Sequence, residues 1–124
     1  MTLQLTIPPD RDEEGKGQPV GQVALLARFT VNEGKGDELV AAFEPLIDQV
    51  RNEPGTLLYV MNRAKDNPNV FWFAELYADD DAFAAHGASE AMANAMPVLA
   101  PLIAESELVI GEPVLAKDLP GLAF

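Results

Sequence analysis

With 124 residues, 48% hydrophobic and 23% charged, the chain has the size and composition of one globular domain, neither disordered nor membrane-spanning. It contains no cysteine and one histidine, which excludes disulfides, a thiolate nucleophile, cysteine-ligated zinc, iron–sulfur clusters and a histidine-rich metal site within one chain. Twenty acidic residues against eight basic ones give a net charge of −12, which repels phosphate backbones and anionic headgroups, so neither nucleic acid nor a membrane is an expected partner.

In chain order, Thr2–Ile7 alternates polar and apolar residues like a short strand, and residues 8–21 are rich in Pro, Gly and charge. Residues 1–21 therefore read as an extension or arm that can pair with a sheet edge, 22–118 as the domain, and 119–124 as a tail. No positively charged stretch leads into an apolar run and cleavage site, so a cytoplasmic location is the expectation.

Val23–Val31 predicts a strand apolar on both faces, interrupted only by Arg28 and Thr30. A helix is predicted over about Lys35–Arg51, with Leu39, Val40, Phe43, Ile47 and Val50 on one stripe and Pro45 on the outer side. Pro54-Gly55 ends it and launches a strand over Thr56–Lys65; the turn Asp66-Asn67-Pro68-Asn69 returns Val70–Tyr77 as its hairpin partner. Asp79 or Asp80 caps a short helix reaching His86, and Ser89 caps a segment to about Ala104 that Pro97 and Pro101 split. Its stripe is Met92, Met96, Leu99 and Ile103. Leu108–Ala116 is the last strand, with Pro113 at an edge or bulge.

The order strand, helix, strand, strand, helix, strand predicts an α+β ferredoxin-like βαββαβ fold, a four-stranded antiparallel sheet with helices on one face. Because the first and third strands are apolar on both faces, the uncovered face needs a partner. A second copy of the chain is the simplest one, so a homodimer is expected.

His86 is the one side chain whose unperturbed charge change falls near neutral pH. It reads either as a general base that takes a proton from a phenol or enol, or as a buried histidine bonded to backbone. Asn62, Trp72, Tyr59 and Tyr77 are the polar or amphipathic groups on the strands; Asn62, Trp72 and Tyr77 are the candidates to orient substrate or hold negative charge. Tyr59 reads better as a core or interface residue. Arg28 and Glu75 are lone charges on neighbouring strands and are expected to form an ion pair at the dimer interface. Asp79-Asp80-Asp81 suits a helix start better than a metal, and Gly34-Lys35-Gly36 lacks the rest of a nucleotide-binding fingerprint.

The Gly34-Lys35 helix entry, Glu53-Pro54-Gly55 with Leu57 and Tyr59, Glu75 two residues before Tyr77, and Ala85-His86 follow in an order that resembles the antibiotic biosynthesis monooxygenase family of the dimeric α/β-barrel superfamily. The resemblance covers about residues 22–118. It implies a sheet-to-sheet dimer with a pocket in each subunit between sheet and helices, for a small apolar or aromatic ligand. It also implies oxygenases that use no flavin, haem or metal, hence no cofactor. In the haem-degrading branch, Asn, Trp and His stand where this chain has Ala27, His86 and Met96, so the resemblance does not extend to haem degradation. The expected function is a cofactor-independent monooxygenase with His86 as base, Asn62, Trp72 and Tyr77 around the substrate, and Phe29, Met92 and Met96 as apolar lining. The alternatives are a small-molecule binding protein without turnover, and an isomerase or decarboxylase of a reactive carbonyl compound.

Overall fold

The computed structural model describes residues 21–119. The expected arm, apart from Gly21, and the expected tail, apart from Leu119, lie outside the described residues.

Strand β1 (Val23–Val31) leads through Gly34, whose φ of 78° suits the turn, into helix α1 (Gly36–Val50). Strands β2 (Thr56–Arg63) and β3 (Val70–Tyr77) form a hairpin. Helices α2 (Asp80–Gly87) and α3 (Glu90–Leu99) follow, then a 3-10 turn (Ala100–Leu102) and strand β4 (Ile103–Gly111). One antiparallel sheet in the order β2-β3-β1-β4 carries them, the predicted ferredoxin-like arrangement. Both predicted caps form: Asp79 Oδ1 accepts from the Ala82 N–H at 2.8 Å, and Ser89 Oγ accepts from the Met92 N–H at 3.1 Å.

The core lies between sheet and helices. Leu39, Phe43 and Leu46 of α1 recur at helical spacing and meet Ala27, Phe71, Phe73, Ala95 and Leu99. Phe73 is its centre, with the rings of Phe43, Tyr59 and Phe29 at 4.5, 5.3 and 5.8 Å. Pro45 faces solvent, as its position on the outer side of α1 predicts.

The last strand departs from the sequence reading. It begins at Ile103, not Leu108, because the chain leaves the helix in the 3-10 turn that holds Pro101. Asn32 anchors that turn: its N–H donates to the Leu102 carbonyl and its Nδ2 to the Pro101 carbonyl, both at 2.9 Å. Ile103 thus belongs to the sheet, opposite Val31, and only resembles a further member of the helical stripe. The strand ends before Pro113, which has no N–H to donate. Pro97 stays inside α3 without splitting it.

Strand alternation separates two faces. Leu25, Ala27 and Phe29 pair in register with Glu75, Phe73 and Phe71 toward the helices. Positions one residue out of phase, including Leu26, Arg28, Leu58, Val60, Trp72 and Val109, lie on the open face. There Leu26, Val60 and Val109 are 42%, 41% and 53% exposed. No helix among the described residues is long and apolar enough to cross a membrane.

Candidate functional site

The β2–β3 register pairs Thr56 with Tyr77, so the loop after α1 and the entry to α2 meet at one end of the sheet. Gly55 makes the meeting close: a Cβ there would stand 2.4 Å from the Ala82 Cβ, and the Gly55 carbonyl accepts the Ala78 N–H at 2.9 Å. The loop therefore rests directly on α2 and sets Glu53 beside His86.

His86, in the last turn of α2, is 4% exposed, and its Nδ1 lies 3.0 Å from Glu53 Oε1. The same oxygen accepts from Thr56 Oγ1 at 2.7 Å, and Glu53 Oε2 accepts from Gln49 Nε2 at 3.3 Å. Three donors from α1, β2 and α2 hold this carboxylate. A carboxylate at Nδ1 keeps the proton on that nitrogen and leaves the Nε2 lone pair basic. Among the described residues the imidazole has no hydrogen bond besides this one. The rings of Tyr59 and Tyr77 stand 5.2 and 5.3 Å from it, both tilted. The Tyr77 hydroxyl donates to Glu75, itself 7% exposed.

The two carboxylates near His86 are pushed in opposite directions. Burial raises Glu53, but hydrogen bonds from Thr56, His86 and Gln49, with the imidazole's charge, outweigh it and hold the carboxyl below its ordinary value. Burial also raises Glu75, and there the Tyr77 hydrogen bond and the charge of His86 offset it only in part, so the carboxyl stays above its ordinary value. Burial, reinforced by neighbouring carboxylates, pushes both Tyr59 and Tyr77 far up, which keeps them protonated donors. One fixed anion, one imidazole, one carboxyl inclined to hold its proton and two phenols thus share a small volume. Of these groups Glu53 and His86 line a cavity of about 670 Å³, together with Gln49, Thr56, Ala85 and Ser89, while Tyr59, Glu75 and Tyr77 lie behind them.

The structure brings together only part of the expected site. His86 and Tyr77 meet. Asn62 and Trp72 are register partners on the open face, where Asn62 Nδ2 donates to the Trp72 carbonyl at 3.3 Å, away from His86. Phe29 and Met92 pack against the core rather than into the His86 cavity, and Met96 is 52% exposed. Arg28 and Glu75 do not pair: Arg28 stands opposite Trp72 and Glu107, Glu75 opposite Leu25 and Tyr59, so pleating turns them to opposite faces. Asp79 is a cap, and Asp80 and Asp81 fill the first turn of α2; no group of metal-ligating side chains occurs among the described residues.

Sequence reasoning missed Glu53, Thr56 and Gln49: it used Glu53-Pro54-Gly55 only as the end of a helix and a mark of the resemblance, and read Tyr59 as a core or interface residue. The hairpin register was the available signal. Once Thr56 is set opposite Tyr77, a residue three positions earlier lies near the helix that leaves Tyr77.

The sequence profile described as antibiotic biosynthesis monooxygenase matches residues 22–98. Among solved structures, a Shewanella oneidensis protein is 31% identical with a TM-score of 0.73, the match covering 77% of this chain and 94% of that one. A Caulobacter crescentus protein described as an antibiotic biosynthesis monooxygenase is 29% identical with a TM-score of 0.72, covering 85% and 99%. One from Bacteroides thetaiotaomicron with the same description is 25% identical, with a TM-score of 0.72 and coverage of 84% and 96%. No curated protein matches the chain.

Proposed function

Because the chain belongs to the antibiotic biosynthesis monooxygenase family, we propose that it is a cytoplasmic, cofactor-independent oxygenase of a small phenolic or enolic compound, with His86 as base. The observation that carries this reading is the Glu53–His86 contact of 3.0 Å at the wall of a cavity. With Nδ1–H donated to Glu53, Nε2 takes the hydroxyl proton of a phenol and leaves an electron-rich anion. That anion transfers electrons to dioxygen and forms a C–O bond at a ring carbon, and the imidazolium protonates the resulting peroxide anion to a hydroperoxide. The imidazole, neutral again, takes the proton from the same ring carbon as the O–O bond breaks, which leaves a quinone and hydroxide. It then passes that proton to the hydroxide, so phenol plus O2 becomes quinone plus H2O. The tilted rings of Tyr59 and Tyr77 pack 5.2 and 5.3 Å from the imidazole and hold it in place.

Oxygen uptake with a panel of hydroquinones and anthrones tests the reading. His86→Ala is expected to lower it ~10²- to 10⁴-fold, the usual worth of a positioned base. Unchanged uptake would remove His86 from the mechanism. No uptake with any compound would favour a binding protein, and turnover without oxygen an isomerase or decarboxylase.

The oxygenase reading includes a homodimer built on the open face of the sheet. Leu26, Leu58, Val60 and Val109 supply an apolar surface there that no element of the described chain covers.

A further inference from the structure

We infer that the cavity beside His86 selects by charge, admitting neutral or cationic aromatic hydroxy compounds and rejecting carboxylated ones. The inference rests on the oxygenase reading for the choice of a phenol, while the charge rule concerns binding and is separable from turnover.

The wall of the cavity contains Glu53, Asp81 and Glu90 and no lysine or arginine. Glu53 is held as an anion by its three donors. Asp81 and Glu90 sit in the first turns of α2 and α3. The nearest arginine in sequence, Arg51, is turned away: it pairs with Asp48 at 2.9 Å and, with Arg63, lines a separate cleft of about 450 Å³ between α1 and β2. Both arginines of this region thus line the other cleft, beside Glu44 and Asp48, and the His86 cavity keeps its carboxylates without one.

Helix N-termini attract anions, and two of them border this cavity, but capping weakens that pull. Asp79 takes the Ala82 N–H of α2 and Ser89 the Met92 N–H of α3, and each first turn carries its own carboxylate. The remaining cationic candidate is His86, which must be neutral to act as a base. A permanent anion entering this space therefore meets three carboxylates with no fixed counter-cation, in a concave site that focuses their field. Chemistry at the site is not opposed in the same way. Proton transfer from a phenol to His86 creates an anion and a cation side by side and leaves the total charge unchanged.

The test is calorimetric titration at low salt with three probes: hydroquinone, its trimethylammoniomethyl derivative and its carboxylate, 2,5-dihydroxybenzoate. The cationic probe is expected to bind about tenfold more tightly than the carboxylate, with hydroquinone between them. Asp81→Asn/Glu90→Gln should narrow that gap several-fold, with circular dichroism checking that α2 and α3 persist. Asp66→Asn/Glu38→Gln makes the same change in net charge at the opposite end of the sheet and should leave the gap intact. A carboxylate bound as tightly as hydroquinone, an equal narrowing in both double variants, or no binding of any probe would each overturn the inference. Oxygen uptake by the same probes separates the two readings: charge-ordered binding without uptake overturns the oxygenase and leaves the charge rule standing.

Discussion

The helix-covered face of the sheet buries Glu75 and, with α2 and the loop after α1, encloses His86 and Glu53, whereas the open face leaves Leu26, Leu58, Val60 and Val109 in water. Ordinary folding physics would place these groups the other way round. Desolvating an ionisable group costs several kcal/mol unless partners compensate, and exposed apolar surface forgoes roughly 25 cal/mol per Å². The two inversions have different remedies. The buried polar groups are matched inside the chain by hydrogen bonds from Gln49, Thr56, His86 and Tyr77. The exposed apolar groups have no match among the described residues, and the proposed second copy would supply one.

Mutations on the two faces sharpen this contrast. Phe73→Ala removes the ring at the centre of the covered face and is expected to cost ~3–5 kcal/mol in urea unfolding. Val60→Ala on the open face is expected to cost under about 1 kcal/mol in a chain kept monomeric by dilution. If Val60 proved as costly as Phe73 under those conditions, the open face would not be unpartnered. Val60→Asp probes the same face by mass: sedimentation should show the wild type as a dimer and weaken association at least about tenfold in the variant, because a carboxylate would be buried unpaired. A wild type sedimenting as a stable 13.4 kDa species would break the comparison at once.

Smaller effects are expected where the covered face meets its polar cluster. Gly55→Ala places a Cβ against Ala82 and should destabilise by ~1–3 kcal/mol, with a fall in oxygen uptake as Glu53 moves off His86. Charge changes give the smallest and most diagnostic effects, because the two glutamates have opposite signs. Glu53 is held down in the fold, so its contribution is complete above the ordinary value of 4.5 and is lost as pH falls through the lower folded value. Glu75 is held up, so its contribution is complete below 4.5 and is lost as pH rises through the raised folded value. At neutral pH, Glu53→Gln should therefore destabilise and Glu75→Gln stabilise, as read from urea midpoints at several pH values. Shifts of the same sign would show that the two carboxylates share one environment.

The sheet, its hairpin and both helix caps were legible because each rests on local rules: the apolar run of Val23–Val31, Asn-Pro at 67–68, and Asp79 and Ser89 three residues before the amides they cap. The start of β4 was not, because Ile103 fits a helical stripe equally well and only Asn32, distant in sequence, fixes where the helix ends. In the site, His86 stood out by being single. Glu53 did not, because a glutamate before Pro-Gly reads as a turn residue until the register of β2 on β3 is known. The expected Arg28–Glu75 pair failed for a related reason: neighbouring strands were recognised, but pairing depends on a register that fixes which face each charge takes.

His86 is the one histidine in the chain and stands 5.2 and 5.3 Å from two tyrosine rings. Its ring protons are therefore the sole imidazole signals in a proton spectrum, and aromatic ring currents displace them by amounts that depend on distance and tilt. Loop docking, ligand entry and the Glu53 contact all act on that geometry. The protein thus carries its own unlabelled resonance reporter at the centre of the site.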